Sequence, residues 1–348
     1  MNLKMKKFRS VDSLRKLFFL ITSSLRLALW VAARKHRLIC RTRESGLKSL
    51  SIKPLVSIII PTHRPNHFKN ALKCALSQTY TNTEIIVSDN SGGSEIAEIC
   101  SQYKDVIYRK NIDGQVASNV AKPLSLAKGD YIKYIFDDDL IYPNCIETMI
   151  GWLSQFGDDN IKNIGVITSS RHWINDDSIC YKETCEPNIA SASLIDGRQV
   201  IKKMLLAQRN FVGEFSTTMF KRDMIDYEDP LDIFTIFGEN FSTGLIDIPL
   251  YFSILQKSDL LYIPYSLSAF RIHAGGGSNI HSNPNFHLVI SDWFRLIRAA
   301  RQNGILSRNE TKIAVRCFLI VAKRFAKHFP EQLIPWQEAA IDFVLTSS

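Results

Sequence analysis

The sequence predicts an α/β protein with a mainly parallel central sheet flanked by helices. Leu55-Val-Ser-Ile-Ile-Ile60 is a near-continuous apolar run, the pattern of a parallel strand buried on both faces. Helix-period and strand-period patterns then alternate along the chain, which calls for right-handed crossovers within one sheet. A third observation concerns a strand pattern over Tyr131–Phe136 that breaks into Asp137-Asp138-Asp139 and resumes as Leu140-Ile-Tyr-Pro143. Carboxylates at a strand's C-terminal end place a hard-cation site beside a ligand cleft, and the flanking apolar residues argue against a solvated acidic turn.

Residues 1–50 stand apart. The chain has 348 residues, 45% of them apolar and 22% charged, an ordinary globular balance. Its formal charge of +9 is concentrated near the N-terminus, where 13 cations face Asp12 and Glu44; this segment carries +11 and the other 298 residues −2. The body therefore gives no reason to expect a nucleic-acid partner. Leu17–Ala33 is apolar but interrupted by Thr22-Ser23-Ser24 and Arg26, too short and impure to span a bilayer and without a cleavage site. It reads as a basic amphipathic helix lying on an anionic membrane surface, or as a helix packed on the body or a partner. The seven cysteines are odd in number and show no paired ligand spacing, the usage of a reduced cytosolic protein without structural zinc. A cytoplasmic protein, peripheral on the inner face of the membrane, is the expectation. The domains expected are 1–50, 54–280 and a helical extension over 281–348.

The elements follow in order. The first strand, ended by Pro61-Thr62-His63-Arg64-Pro65, leads to a helix over Phe68–Gln78 with Phe68, Ala71, Leu72, Ala75 and Leu76 on one face. Glu84–Ser88 is the second strand and closes on Asp89-Asn90-Ser91-Gly92-Gly93. A helix over Glu95–Tyr103, a strand over Val106–Arg109 and a helix over Ser118–Ala127 precede the strand at Tyr131. Ligands then belong beyond the strand ends, at Pro61–Arg64, Asp89–Gly93 and Asp137–Asp139. No GxGxxG follows the first strand and no GxxxxGK[ST] occurs, so a diphosphate here needs a cation, Mg²⁺ or Mn²⁺. Asp89 suits a base or ribose contact, and equally an Asx turn or helix cap.

Val56–His63, Ala75–Tyr80, Glu84–Ser91, Leu126–Ile132 and Asp137–Pro143 together resemble the family 2 glycosyltransferases, inverting sugar transferases of GT-A fold. The resemblance covers about residues 55–280 and is looser in the second half. It implies that Thr62 and Asp89 meet the nucleotide, with Asn119 near the donor. It also implies that Asp137–Asp139 match the DXD region. Counting back from Pro143 makes Asp138 the metal ligand, with Asp139 beside it and Asp137 on the donor. Phe136 stands where many members carry the first Asp. Asn210–Ser216 and Phe220–Asp223 resemble the acceptor side, and Leu245–Leu255 the helix led by the catalytic base, here Asp247. Phe270-Arg-Ile-His273 resembles the RxH strand end, whose His serves the metal–diphosphate region, with Gly275–Ser278 as a closing loop.

The implied reaction moves a sugar from a nucleotide-diphospho-sugar, a UDP-sugar by default, to a hydroxyl of a glycan or lipid-linked acceptor in surface polysaccharide synthesis. Asp247 is the expected base, with Glu239 as its alternative and Glu214 as an acceptor contact. Asp247 has a second reading as a plain helix cap. Arg271, two residues before His273, favours an anion-facing site. Phe286–Ala300, Lys312–Phe329 and Trp336–Val344 read as helices packed on the catalytic domain. The rival reading is a catalytically inactive nucleotide-sugar-binding or scaffolding protein.

Overall fold

The computed structural model describes residues 40–42, 53–156, 161–184, 189, 191–277, 279–281 and 283–346. The Leu17–Ala33 segment lies outside them. No helix among the described residues is long and apolar enough to cross a membrane.

The strands are β1 (Cys40–Thr42), β2 (Val56–Thr62), β3 (Thr83–Asp89), β4 (Val106–Lys110), β5 (Tyr131–Tyr134), β6 (Leu140–Ile141), β7 (Ile164–Ile174), β8 (Cys180–Thr184), β9 (Ser193–Ile195), β10 (Met219–Lys221), β11 (Thr235–Ile236), β12 (Glu239–Asn240) and β13 (Asp259–Arg271). The helices are α1 (Pro65–Leu76), α2 (Glu95–Cys100), α3 (Val116–Ala121), α4 (Cys145–Gln155), α5 (Gly197–Ala207), α6 (Ile248–Leu255), α7 (Phe286–Gln302), α8 (Arg308–Ala326) and α9 (Pro330–Thr346). Among the described residues the main sheet runs β1-β9-β13-β7-β10-β5-β2-β3-β4, with β6 on β13 and β8 on β7. Strands β5, β2, β3 and β4 are parallel, as are β7 and β13. Strand β10 is antiparallel to both β5 and β7, so these two sets point the same way. Their C-terminal ends share one edge of the sheet.

The β2 run is fully buried, which its unbroken apolar pattern requires. It continues through Pro61 to Thr62, paired with Ser88 and Asp89 of β3, rather than ending at the proline. The reason is directional. The carbonyl of Ile59 faces the β5 side and accepts from Ile135, so the missing N–H of Pro61 falls beyond the last rung of β5. Helix α1 starts at Pro65, earlier than the apolar periodicity indicates, because proline fits the first helical turn. The segment expected as one helix over Ser118–Ala127 is α3 followed by a 3₁₀ turn, Lys122–Leu126. Lys122 keeps α dihedrals, but Pro123 has no N–H to donate to the α ladder.

Two apolar layers cover the sheet. One packs α1 and α4 on Ile58, Ile60, Ile167 and Ile263; the other packs α5, α6 and α7–α9 on Ile59, Val166 and Tyr262. Helix α8 opens with a Ser307–Glu310 capping box. Gln208 Nε2 donates to the Ala314 carbonyl at 2.8 Å, tying α8 to the end of α5.

Candidate active site

The acidic turn follows β5 directly and is held from three directions. Asp137 Oδ2 accepts from Thr62 Oγ1 (2.9 Å), His63 N (3.0 Å) and Arg64 N (3.2 Å). Arg64 is the N-cap of α1 and makes no capping bond with its own side chain, while Asp137, 73 residues on, accepts the Arg64 N–H at the helix entrance. Asp139 is buried, and its Oδ1 accepts from the Arg271 amide at 3.0 Å. Burial, then the charge of Asp138, pushes its carboxyl well above the usual range, while the hydroxyl of Ser216 and the Arg271 N–H act against the rise. Asp138 is the member left at the surface. Its side chain is 30% exposed, and Oδ2 lies 3.0 Å from Nε2 of His273, itself 8% exposed.

Three expectations change here. Asp139, expected beside Asp138 at the metal, is turned into the protein. Arg271, expected to face an anion, is buried, and its donors go to backbone and a hydroxyl: Nε to Asp138 O, Nη1 to Asn175 O and Asp176 O, Nη2 to Ser178 Oγ. Its guanidinium clamps the β7–β8 turn onto the acidic turn. Asn119, expected near the donor, is buried and spent internally, Nδ2 on the Thr62 carbonyl (3.0 Å) and Oδ1 on Ser88 Oγ (2.8 Å).

Asp89 also sits inside the fold. Oδ1 accepts from Ser91 N (2.7 Å), the Asx turn open in the sequence, and Oδ2 from Tyr108 Oη (2.8 Å) and Lys110 Nζ (2.9 Å). Burial alone would raise this carboxyl, but the bonds to Ser91, Lys110 and Tyr108 outweigh it and hold the pKa below its ordinary value. Phe136, at the place of the family's first Asp, stacks on Phe215 with ring centroids 5.8 Å apart.

Asp247 is the N-cap of α6, without a capping bond from its own side chain; Oδ2 accepts from Asn210 Nδ2 at 2.7 Å. Desolvation, then the charge of Glu214, pushes its pKa up to about 7. Asn210 is held in turn: its Oδ1 accepts from Val212 N and Gly213 N. Gly213 has φ +97°, a conformation that favours glycine, and Thr217 stands close to where a Cβ would be. Glu214 pairs with the guanidinium of Arg171, Nη2 to Oε1 at 2.9 Å. The same carboxylate acts on Asp247 and on Asp139, which ties the α6 end electrostatically to the acidic turn. Glu239, the alternative base, is gripped by Arg295 Nε (3.0 Å) and Arg298 Nη2 (2.8 Å) from α7.

The motif reading passed over Lys133 and Arg171, and took Asn210 and Ser216 only as part of an acceptor-side stretch without roles of their own. Lys133 is fully buried, and Nζ donates to Ser216 O (2.5 Å) and Thr218 O (3.1 Å). Its signal was a lone cation in an otherwise apolar strand. Ser216 Oγ accepts from Phe136 N at 2.9 Å, so Lys133 and Ser216 jointly fix the segment beneath the acidic turn. The loop after His273 folds back toward α1, with Arg64 Nη2 donating to Gly275 O at 3.2 Å and the His67 and His273 rings edge to face at 6.1 Å. Ser278, expected in that loop, lies outside the described residues.

An α/β sheet with an acidic turn at its C-terminal edge, and a buried carboxylate at the start of α6 that shares the charge of Glu214 with that turn, fits a GT-A protein. Residues 57–224 match the family model described as glycosyl transferase family 2. Over this stretch, just under half of the chain, the sequence is that of a family 2 glycosyltransferase. An uncharacterized glycosyltransferase of Rickettsia conorii is 30% identical over 240 residues, 67% of this chain and 35% of that protein. YibD, an uncharacterized glycosyltransferase of Escherichia coli K12, is 22% identical over 65% of this chain and 66% of its own. The chain thus spans about a third of the length of the Rickettsia relatives. Among solved structures, S. aureus TarS 1-349 in complex with UDP-GlcNAc matches with a TM-score of 0.55 at 13% identity, over 83% of this chain and 81% of that one. The mannosyltransferase PcManGT from Pyrobaculum calidifontis, in complex with GDP-Man and Mn²⁺, matches with 0.53 at 13% identity, over 96% and 86%. These likenesses establish the GT-A fold.

Proposed function

We propose that the chain is an inverting glycosyltransferase that moves a sugar from a nucleotide-diphospho-sugar to an acceptor hydroxyl. The carrying observation is Asp247, a carboxylate poised near neutrality and coupled through Glu214 to the acidic turn. A group titrating near the working pH combines the correct ionisation state with enough basicity to remove a proton. The acceptor oxygen attacks the anomeric carbon, the bond to the diphosphate oxygen breaks with its electron pair, and the hydroxyl proton passes to Asp247. Attack opposite the leaving group inverts the anomeric configuration. With Glu239 held by two guanidinium groups, Asp247 is the better base.

Asp138 and His273 fit a divalent cation of the Mg²⁺ or Mn²⁺ type. One partly exposed carboxylate and one imidazole leave the remaining positions to phosphate oxygens and water, a usual donor set for these ions. Such an ion, when bound, neutralises charge gathering on the departing diphosphate. The chain's part is to orient it: Asp137 locks the Thr62–Arg64 loop, and Arg271 and Ser216 fix the turn below. Asp139 acts in this scheme as a support. Thr62 and Asp89 shape the nucleotide end, Asp89 by ordering the Asp89–Gly93 turn. The UDP-GlcNAc and GDP-Man held by the two neighbours support a nucleotide-sugar donor, and UDP is our first choice. We assign the acceptor to a glycan or lipid-linked glycan of a surface polysaccharide, with the protein peripheral on the inner face of the membrane.

Thermal unfolding with a panel of UDP- and GDP-sugars, with and without Mn²⁺, tests this reading. At a ligand concentration 100 times Kd, binding adds about 2.7 kcal/mol to stability. A UDP-sugar should raise the midpoint further with Mn²⁺ present, and Asp138→Asn should remove that increment. Absence of any shift with every donor overturns the proposal.

A further inference from the structure

Beyond the acidic turn and Asp247, the same sheet edge carries a row of side chains that this chemistry does not use. From Ser268↔Arg171 to Arg271↔Ile174 the pairing of β13 with β7 is regular, so Arg171, Ser268, Trp173 and Phe270 share one face. Lys182 of β8 stands opposite Trp173 and completes the outer row. The inner pair holds the acceptor-side segment, Arg171 on Glu214 and Ser268 Oγ on Thr217 Oγ1 at 3.3 Å. The outer row, Lys182–Trp173–Phe270, lies one step closer to the strand ends, just beyond Arg171, which holds the carboxylate that tunes Asp247.

Its chemistry is unusual for a sheet end. Trp173 and Phe270 meet edge to face at 6.1 Å, both half-exposed, and Lys182 Nζ lies over the indole at 4.4 Å. The Trp173 Nε1–H is buried and has no hydrogen-bond partner among the described residues. Buried donors are normally satisfied, so an orphan at a ligand-facing edge asks for an acceptor from outside the chain. Lys182 is exposed on the edge strand, and its chain can lift off the ring.

We propose that Trp173 and Phe270 form a carbohydrate subsite that seats one sugar ring of the acceptor beside Asp247, a proposal that rests on the transferase reading above. The ring's C–H face packs on the indole, one hydroxyl accepts from Nε1, and Lys182 donates at the rim. The occupant is a pyranose of a glycan, and the lipid part of a lipid-linked acceptor has no role here.

Saturation-transfer NMR tests it on the full chain with UDP present, using methyl glycosides and disaccharides of glucose, galactose, mannose and N-acetylglucosamine as probes. Ring protons of at least one probe should receive saturation. Trp173→Ala should bind that probe about tenfold more weakly, the loss of one good stacking contact. Trp173→Phe, which keeps a stacking surface but loses the Nε1 donor, should bind with an affinity between those of the parent and Trp173→Ala, and Phe270→Leu should weaken binding. The UDP-induced thermal shift should be unchanged in each variant, which separates this subsite from the donor site. No saturation on any probe while UDP still stabilises the protein overturns the subsite alone. Undiminished transfer in folded Trp173→Ala, or in Phe270→Leu if the alanine variant does not fold, overturns it as well.

Discussion

Asp247 owes its raised pKa to burial first and to Glu214 second, and both causes have measurable consequences. The proposed base acts as its carboxylate, so kcat/KM should rise with pH through about 7 and then level off. The stability effect has the opposite sense. An unfolded Asp ionises near 3.9, whereas the folded group keeps its proton to about 7, so folding takes up a proton between those values. Its contribution falls as pH rises through that window and is most unfavourable above 7. Asp247→Asn should therefore lose turnover by about 10²- to 10⁴-fold while unfolding at a higher temperature than the parent at pH 8. Equal midpoints at pH 8 would contradict the burial argument. Glu239→Gln gives the contrasting outcome. It should keep most turnover, because Glu239 serves Arg295 and Arg298, and lose stability where α7 docks. Calorimetry and a donor-consumption assay on the same two variants separate the roles.

At the scale of elements, the sequence displayed the strands but concealed what secures the turn between β5 and β6. Strands β2 and β3 were legible because burial on both faces leaves an apolar run. The count from Pro143 singled out Asp138, which is the one of the three left at the surface. The work of Asp137 and Asp139 was not, since their partners lie 75 and 132 residues away and periodicity carries no such information. Arg271 misled for the same reason: a cation near a ligand edge looks like an anion contact until its donors are traced to the carbonyls of Asp138, Asn175 and Asp176. Arg271→Lys should cost about 2 kcal/mol, because an ammonium cannot reproduce the planar fork. Metal-dependent donor binding should weaken with it, and denaturant unfolding beside nucleotide titration checks both. Lys133→Met leaves the carbonyls of Ser216 and Thr218 without their donor and should destabilise by about 1–3 kcal/mol.

For the whole molecule, α7–α9 belong to the layer that also buries α5 and α6. Trp293, Phe294, Leu296 and Phe318 share that core with Met204 and Leu205. A chain ending at Ile280 exposes this surface and should be insoluble or fail to show a cooperative transition, which size-exclusion chromatography and calorimetry will report. A chain beginning at Lys53 should bind nucleotide sugars as the full protein does. Its sedimentation with anionic liposomes at low salt should be lost if residues 1–50 dock on membranes. The strongly basic 1–50 segment was plain in the sequence. The shared core was not, because three separate amphipathic patterns do not say which layer they join.

Strand β13 sets the order in which this molecule becomes competent. The parallel unit from β2 to β5 is built from short-range crossovers, so it is well suited to form while synthesis continues. Its acidic turn, however, waits for Arg271, whose amide and guanidinium arrive more than 130 residues later. A nascent chain that has emerged only as far as α5 can collapse around its first half yet lacks the strand that secures Asp138 and Asp139. The proposed donor and cation sites are therefore completed only when β13 has docked, the last strand of the sheet to be made.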